Sequence, residues 1–151
     1  MNPGDLAPDF TLSREDGTML SLSDQLTNGP VVLFFYPKAM TSGCTAESCH
    51  FRDMKSEFAE LGATRIGISA DKVAKQKQFS DKHGFDYPLL SDPDRKVAAA
   101  YGVKRPGPLF NKRATFVIGA DQRLIAVITS ELNMDKHADE ALSALRNRNG
   151  G

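Results

Sequence analysis

Two cysteines, Cys44 and Cys49, are the residues best placed for covalent chemistry, and the chain of 151 residues contains no others. Cys44 follows the unbroken apolar run 31–36, which predicts a buried strand, and it precedes a segment with helical periodicity. We therefore expect Cys44 in the first turn of the helix that follows this strand. There the unpaired N–H groups and the positive end of the helix dipole favour a thiolate over a thiol.

Residues near position 44 are suited to assist a thiolate. Gly43 would let a ligand approach the backbone closely, and the Thr41 hydroxyl could contact the thiolate or a polar substrate. A thiolate that attacks an oxygen or acyl centre usually needs a cation to stabilise it and the leaving group. The candidate cations are Lys38, Arg52, Arg105 and Arg113. Glu47 follows Cys44 by one helical turn and could orient an arginine or interact with the helix N-terminus.

Helix geometry separates the two cysteines. Phe51 follows Cys44 by seven residues, so both point to the same face, whereas Cys49 lies about 140° round the helix. The rise and radius of a helix also place the two cysteine Cα atoms about 8.6 Å apart, beyond the roughly 7 Å that a disulfide can bridge. If the pair is redox-active, its cycle must therefore include local unwinding of the helix.

Other uses of these cysteines remain open. A cysteine is commonly a small buried apolar residue without chemistry, and Cys49 in particular is ambiguous. A metal site formed by Cys44, Cys49 and His50 is another possibility, but the spacing matches no common zinc pattern. No Cys-x-x-Cys motif occurs, which disfavours a thioredoxin-type dithiol reductase. We expect His83 and His137 to be partly exposed on helix surfaces.

The pattern of apolar residues predicts an α/β fold in a single domain, 1–151. A hairpin around Asp16-Gly17 comes first, followed by alternating strands and helices, two further strands and a final amphipathic helix. This order predicts a largely parallel but mixed central sheet that is covered by helices and has an antiparallel pair at one edge. Arg113 directly precedes one inner strand, which would hold its side chain near a strand end, although a surface charge is the commoner role.

The same pattern predicts the bounds of the individual elements. Strands are expected at 31–36, 63–69, 87–90, 114–118 and 124–129. Helices are expected from 41 or 42 to 61, from a cap at Asp71 to 84, from Asp92-Pro93 to Gly102, and through Met134 to Leu145.

Composition excludes several classes of protein. Nineteen basic residues balance nineteen acidic ones and the pI is about 6.8, which argues against a partner such as nucleic acid or an anionic membrane. No apolar run approaches the roughly 20 residues that span a bilayer, and residues 1–10 lack the pattern of a signal peptide. We therefore expect a soluble, cytoplasmic protein. In a reducing compartment two cysteines are more often catalytic, redox-active or metal-binding than structural.

Residues 37–44, Pro-Lys-Ala-Met-Thr-Ser-Gly-Cys, resemble the P-x-x-x-T-x-x-C active-site motif of peroxiredoxins. The longer run FFYPKAMTSGCTAESCHFRD is similar to the peroxiredoxin Q group, also called bacterioferritin comigratory protein. Further similar segments occur in the expected order, so the resemblance covers nearly the whole chain. They are GDLAPDFTL, GISAD, YPLLSD, AAYGV and RATFVIGADQRL.

The resemblance implies a thioredoxin-like fold and the reduction of hydrogen peroxide and organic hydroperoxides by cysteine alone, with no metal, haem or other cofactor. By position, Cys44 resembles the peroxidatic cysteine, Thr41 the hydroxyl that orients the peroxide, and Pro37 the proline that shields the pocket. Arg113 resembles the arginine that stabilises the thiolate and the leaving oxygen, and Cys49 resembles the resolving cysteine. The family's mechanism then implies a Cys44–Cys49 disulfide that thioredoxin or a small thiol reduces.

The sequence also departs from the family pattern. Ala39 and Ser42 stand where relatives often carry Asp and Pro, and the strand ending at Gly119 lacks an acidic residue there. These changes could alter helix capping or unwinding, but the motif residues are intact. Some relatives place the resolving cysteine on the next helix, where this chain has none, which leaves Cys49 as the only intramolecular choice.

Two functions from other classes stay open at this point. One is a non-catalytic thioredoxin-like module that binds a metal or a partner through Cys44 and His50, and the other is a protein-disulfide oxidoreductase. For the oligomeric state we expect a monomer or a weak homodimer, because no coiled coil or long C-terminal arm is evident.

Overall fold

The computed structural model, which describes residues 1–150, is a mixed sheet flanked by helices. The strands are β1 (Thr11–Arg14), β2 (Met19–Ser21), β3 (Val31–Phe35), β4 (Thr64–Ser69), β5 (Leu89–Ser91), β6 (Ala114–Ile118) and β7 (Leu124–Thr129). The helices are α1 (Leu22–Leu26), α2 (Ser42–Asp53), α3 (Lys55–Glu60), α4 (Val73–His83), α5 (Lys96–Ala100) and α6 (Asp135–Gly150). The predicted α/β class, the N-terminal hairpin and the bounds of β6 and β7 are confirmed.

The strand order is β2-β1-β5-β4-β3-β6-β7. Within the described residues only β3–β4 and β4–β5 pair in parallel, and the other four neighbouring pairs are antiparallel. The prediction of a largely parallel sheet is therefore wrong, although the sheet is mixed as expected. An antiparallel pair of strands lies at each edge of the sheet. At one edge the N-terminal hairpin β1–β2 joins the sheet through the pairing of β1 with β5, and at the other edge lie β6 and β7.

Strand β3 lies inside the sheet, between β4 and β6, and is buried on both faces. Its alternate side chains enter two separate apolar clusters, as the period of two along a strand requires. Val31, Leu33 and Phe35 pack on the side of α1 and α5, whereas Val32 and Phe34 pack on the side of α2, α3, α4 and α6. The sheet thus separates two helical layers, and α2 lies in the larger one.

The register of β6 explains how two distant segments meet. β6 runs antiparallel to β3, so Ala114 at its start pairs with Phe35 at the end of β3. Arg113 therefore lies beside the loop that leads from β3 into α2. The parallel neighbour β4 pairs Ile68 with the same Phe35, so the loop after β4 reaches this edge too.

Three helix predictions need correction. The helix predicted from 41 or 42 to 61 is broken at Met54, whose backbone has φ −92° and ψ 21°, so α2 and α3 are separate. Asp71 does not cap α4, because Lys72 occupies that position and the Asp71 carboxylate bonds to the loop after β3 instead. The helix predicted from Asp92-Pro93 begins only at Lys96, and Asp92 accepts hydrogen bonds from its first turn.

No helix within residues 1–150 combines the length and the apolar character needed to cross a membrane. The short helix α1 was not predicted; Ser21 caps it by accepting a hydrogen bond from the Asp24 backbone N–H.

Candidate active site

The loop between β3 and α2 fixes the start of the helix that contains Cys44. The backbone N–H of Ala39 donates to the Asp71 carboxylate over 2.7 Å, which ties this loop to the loop after β4. Met40 has φ +71°, a conformation that non-glycine residues rarely adopt. Thr41 then takes the N-cap position, so Cys44 is the third residue of α2.

Arg113 joins Cys44 to Glu47. One terminal nitrogen, Nη2, donates to the Cys44 Sγ over 3.3 Å, and the other, Nη1, donates to Glu47 Oε1 over 2.7 Å. All three side chains are buried: Cys44 is 1% exposed, Glu47 0% and Arg113 6%. Of the four candidate cations, the structure therefore brings Arg113 to Cys44, and Glu47 orients it. A buried cation within hydrogen-bond distance of sulfur favours the thiolate.

Burial and charge act in opposite directions within this group. Burial raises the pKa of Glu47 to about 8, although Arg113 opposes this shift. Burial lowers the pKa of Arg113, but the negative charges of Glu47 and Cys44 more than compensate, so the net shift is upward and Arg113 stays positive. The guanidinium is therefore a permanent positive charge that two acidic groups share.

The structure shows a further role for Gly43. A Cβ atom at this position would lie 3.3 Å from Arg113 Nη2 and 3.6 Å from the Met134 sulfur. The absent side chain thus makes room for Arg113, while the approach of a ligand to this backbone stays a prediction. A larger residue at position 43 would push against the guanidinium that contacts Cys44.

Thr41 and Pro37 lie on the loop between β3 and α2, as the sequence predicts. Within residues 1–150, neither side chain forms a hydrogen bond with Cys44. The exposed Thr41 hydroxyl donates to the Lys38 carbonyl over 2.8 Å. Pro37 is half-buried and lines a cleft together with Leu109 and Phe110.

The remaining candidate cations have other partners. Lys38 lies 5.8 Å from the centre of the Phe110 ring. Arg52 donates to Asp53 and to the His83 carbonyl, and Arg105 donates to Glu131. These three residues therefore contact other groups and not the Cys44 sulfur.

Cys49 lies further along the same unbroken helix and is half-buried. Both cysteines are free thiols. Burial raises the pKa of Cys49, with Arg52 opposing the shift, so this thiol ionises less readily than an ordinary cysteine. The predicted division holds: Cys44 points into the protein and Cys49 points elsewhere.

The C-terminal half of α2 is held more firmly than its start. The Tyr87 hydroxyl donates to the Ser48 carbonyl over 2.6 Å, and Arg65 donates to the Phe51 carbonyl over 2.8 Å. The Phe51 ring stacks on Phe34 at 4.1 Å between ring centres. By contrast, the Thr41 side chain makes no capping hydrogen bond, and the first turn has no acidic residue. Sequence patterns did not reveal these anchors, because they depend on distant elements.

His137 is fully buried, so the prediction that it is partly exposed is wrong. Its Nδ1 atom lies 2.8 Å from the Thr115 hydroxyl and 3.6 Å from Glu47 Oε2. A signal was present in the sequence: His137 precedes Ala141 by four residues and so shares the apolar face of α6. His83 is half-exposed, as predicted.

The grouping of Cys44, Cys49 and His50 does not form a metal site. Within residues 1–150, no three side chains of His, Cys, Asp or Glu converge in a way that could hold a metal ion. The His50 ring instead pairs with Asp139 on α6 over 2.9 Å, which links α2 to that helix.

The chain is similar in sequence and in structure to proteins that are already known. A model of the AhpC/TSA family matches residues 3–127. The crystal structure of peroxidoxin BcpB from Mycobacterium tuberculosis superposes with a TM-score of 0.94 at 54% identity, over 97% of each chain. A bacterioferritin comigratory protein from Xanthomonas campestris, studied for alkyl peroxide reduction, has a TM-score of 0.85 at 31% identity over 92% of this chain and 91% of its own. Chloroplastic peroxiredoxin Q from Arabidopsis thaliana is 40% identical over 149 residues, 97% of this chain and 68% of the relative.

Arg113→Gln should destabilise the protein by up to about 3–5 kcal/mol where Glu47 is ionised, because it leaves the buried carboxylate without its cation. The loss should be smaller below about pH 8 and should grow as the pH rises through it. Folding raises the pKa of Glu47 from 4.5 to about 8, so below that pH the carboxyl is protonated in the folded state of both proteins; without Arg113, which opposes this shift, the variant keeps the proton to a higher pH than the wild type. Urea denaturation below and above this pH measures both effects.

Arg148→Gln is the matched control for this prediction, because Arg148 pairs with Asp121 at the surface and both are 52% exposed. It should cost less than about 1 kcal/mol. Adding Glu47→Gln to Arg113→Gln should recover part of the loss; a double variant as unstable as the single one would contradict the buried ion pair as the cause.

Proposed function

The chain belongs to the AhpC/TSA family, and from this membership we propose that it is a thiol-dependent peroxidase that reduces hydrogen peroxide and organic hydroperoxides to water and alcohols. The resemblance to peroxiredoxin Q and bacterioferritin comigratory protein is confirmed by the relatives described above, and so is the thioredoxin-like fold. The roles of the individual residues belong to the same proposal.

Cys44 is the proposed nucleophile. Its thiolate attacks the distal oxygen of the hydroperoxide, so an S–O bond forms as the O–O bond breaks. Sulfur is oxidised to a sulfenic acid, the peroxide is reduced by two electrons, and the leaving oxygen takes up a proton to become water or an alcohol. The single observation that supports this assignment best is the hydrogen bond from Arg113 Nη2 to the Cys44 Sγ, in the first turn of α2.

Arg113 assists both ends of this step. It stabilises the thiolate before attack and, with the same charge, the negative charge that develops on the leaving oxygen. The planar guanidinium suits this because Glu47 holds Nη1 and leaves Nη2 for the sulfur. We propose that Thr41 orients the peroxide through its hydroxyl lone pairs and that Pro37 shields the reacting sulfur from water.

Cys49 is the proposed resolving residue. Its sulfur attacks the Cys44 sulfenic acid, an S–S bond forms, and the oxygen leaves as water. A dithiol protein such as thioredoxin, or a small thiol, then reduces the disulfide by exchange. A monomer or weak homodimer and a cytoplasmic location belong to the same proposal.

The contacts of α2 indicate how the two sulfurs meet. The helix must unwind, because its geometry keeps the Cα atoms of residues 44 and 49 about 8.6 Å apart. Tyr87 and Arg65 donate to backbone carbonyls on either side of Cys49, whereas the N-cap side chain makes no hydrogen bond with the start of the helix. Oxidation of Cys44 also weakens its interaction with Arg113, since the sulfur loses its negative charge. Unwinding therefore begins at the N-terminal end and moves Cys44 towards Cys49.

Replacing each cysteine by serine separates their roles. Cys44→Ser should consume no peroxide, whereas Cys49→Ser should consume about one equivalent per chain and then stall or become over-oxidised. The wild-type protein should lose both free thiols to one equivalent of peroxide without linkage between chains. Peroxide consumption, thiol titration and peptide mass mapping measure these outcomes.

Two results would contradict the assignment. Unchanged turnover in Cys49→Ser would mean that resolution comes from elsewhere. Exchange with disulfides but no reaction with peroxide would instead identify a protein-disulfide oxidoreductase.

Hydrogen exchange tests the unwinding. Amides 45–49 should exchange at least about tenfold faster in the oxidised protein than in the reduced one, because their helical hydrogen bonds are lost. The amides of α4 and the Phe58 amide in α3, which donates to Met54, should keep their protection. The idea fails if amides 45–49 stay protected in a protein shown to contain the disulfide, or if the loss extends through α3.

A further inference from the structure

His137 is a buried titratable residue that the proposed reaction does not use. It lies in the first turn of α6, has no exposed surface, and its ring reaches three groups from other segments. Nε2 lies 2.9 Å from the Ser130 carbonyl, while Nδ1 lies 2.8 Å from the Thr115 hydroxyl and 3.6 Å from Glu47 Oε2.

These contacts determine the form of the ring. A carbonyl only accepts, so Nε2 donates its hydrogen to Ser130. In the neutral ring Nδ1 is then an acceptor, and it faces both the Thr115 hydroxyl and Glu47 Oε2. This oxygen of Glu47 is buried and has no hydrogen-bond partner among the described residues, whereas Oε1 is bound by Arg113.

The net charge of the buried group depends on whether Glu47 and His137 retain a proton, and this affects the Cys44 thiolate. Arg113 contributes one positive charge, and the Cys44 thiolate and an ionised Glu47 would contribute two negative ones. A net negative charge buried in this way is costly. One proton placed between Glu47 and His137, on either residue, makes the group neutral while Cys44 remains a thiolate.

We propose that His137 is a positioning residue for the reaction: together with Glu47 it holds one proton, which keeps the charge of Arg113 available to the Cys44 thiolate. This rests on the proposed function only in taking the Cys44 thiolate as the reacting species. His137 acts through Glu47 and does not touch the reacting atoms. When the pair loses its proton, Glu47 becomes a second anion on Arg113 and the thiolate is less favoured.

The surrounding charges agree with this arrangement. Burial lowers the pKa of His137, and Arg113 and Lys136 lower it further, whereas the hydrogen bond to the Ser130 carbonyl and the charge of Glu131 oppose them. Burial raises the pKa of Glu47 to about 8, so the buried pair retains one proton. These four charged groups come from α2, the segment before β6, the segment after β7 and α6 itself.

Ionisation of Cys44 provides the test and needs no peroxide. In a Cys49→Ser background Cys44 is the one remaining thiol, and ultraviolet absorbance of the thiolate follows its titration. Adding His137→Gln, whose amide can still donate to Ser130 but cannot bind a proton, should reduce the thiolate about tenfold at a fixed pH below the midpoint. Adding Glu47→Gln instead should increase it, because the second anion is removed.

The combination of the two substitutions gives the sharper result. His137→Gln should have no further effect once Glu47→Gln is present, since His137 acts only through that carboxyl. The control is His83→Gln, a half-exposed histidine on α4, which should leave the titration unchanged. The proposal is overturned if His137→Gln leaves the titration at its original pH, or if its effect persists in the Glu47→Gln background.

A second measurement covers the case in which His137→Gln does not fold. By linkage, Cys44 must affect the pair as the pair affects Cys44. Nitrogen NMR of the His137 ring should show the pair losing its proton at lower pH in Cys44→Ser/Cys49→Ser than in Cys49→Ser, because a serine at position 44 carries no charge. Identical titrations would refute the coupling. This readout is independent of peroxidase activity, so it separates failure of this proposal from failure of the proposed function.

Discussion

One buried guanidinium shared by two acidic groups is the interaction on which the site depends. Arg113 can reach Cys44 only because the antiparallel pairing of β6 with β3 brings residue 113 beside the start of α2. Gly43 leaves room for it, and Glu47 fixes its orientation from the next turn of the same helix. The sheet register, a missing Cβ and one carboxylate thus combine to place a positive charge beside a sulfur atom that is otherwise surrounded by apolar residues.

In the proposed reaction, the same helix must be rigid for the first step and must unwind in the second. Its later half is tied to the body of the protein by Tyr87, Arg65 and the Phe51–Phe34 stack. Its first turn contains the contact between Arg113 and Cys44, and the proposed reaction weakens that contact. The stability of α2 is therefore unequal along its length, and the weaker end contains the cysteine that has to move.

Local sequence patterns predicted much of this arrangement. The bounds of β6 and β7 follow from apolar runs bounded by charged residues and turn residues, and the placement of Cys44, Glu47 and Arg113 follows from motif and spacing. Features set by tertiary contacts were not predictable. The helix breaks at Met54 although the apolar stripe continues through that residue. The two parallel pairings depend on which strands meet, and the sequence pattern does not determine this. His137 is buried although histidine is a polar residue that is usually found nearer the surface.

The most direct test concerns the geometry of the cation. Arg113→Lys keeps the charge but cannot donate in a fixed plane to both Cys44 and Glu47, so the second-order rate constant for the first reaction with peroxide should fall about 100-fold or more. Arg148→Lys, a conservative change at an exposed ion pair, should retain the wild-type rate constant. Stopped-flow measurement on proteins shown to be folded decides the matter. A wild-type rate constant in Arg113→Lys would contradict the central role of the shared guanidinium.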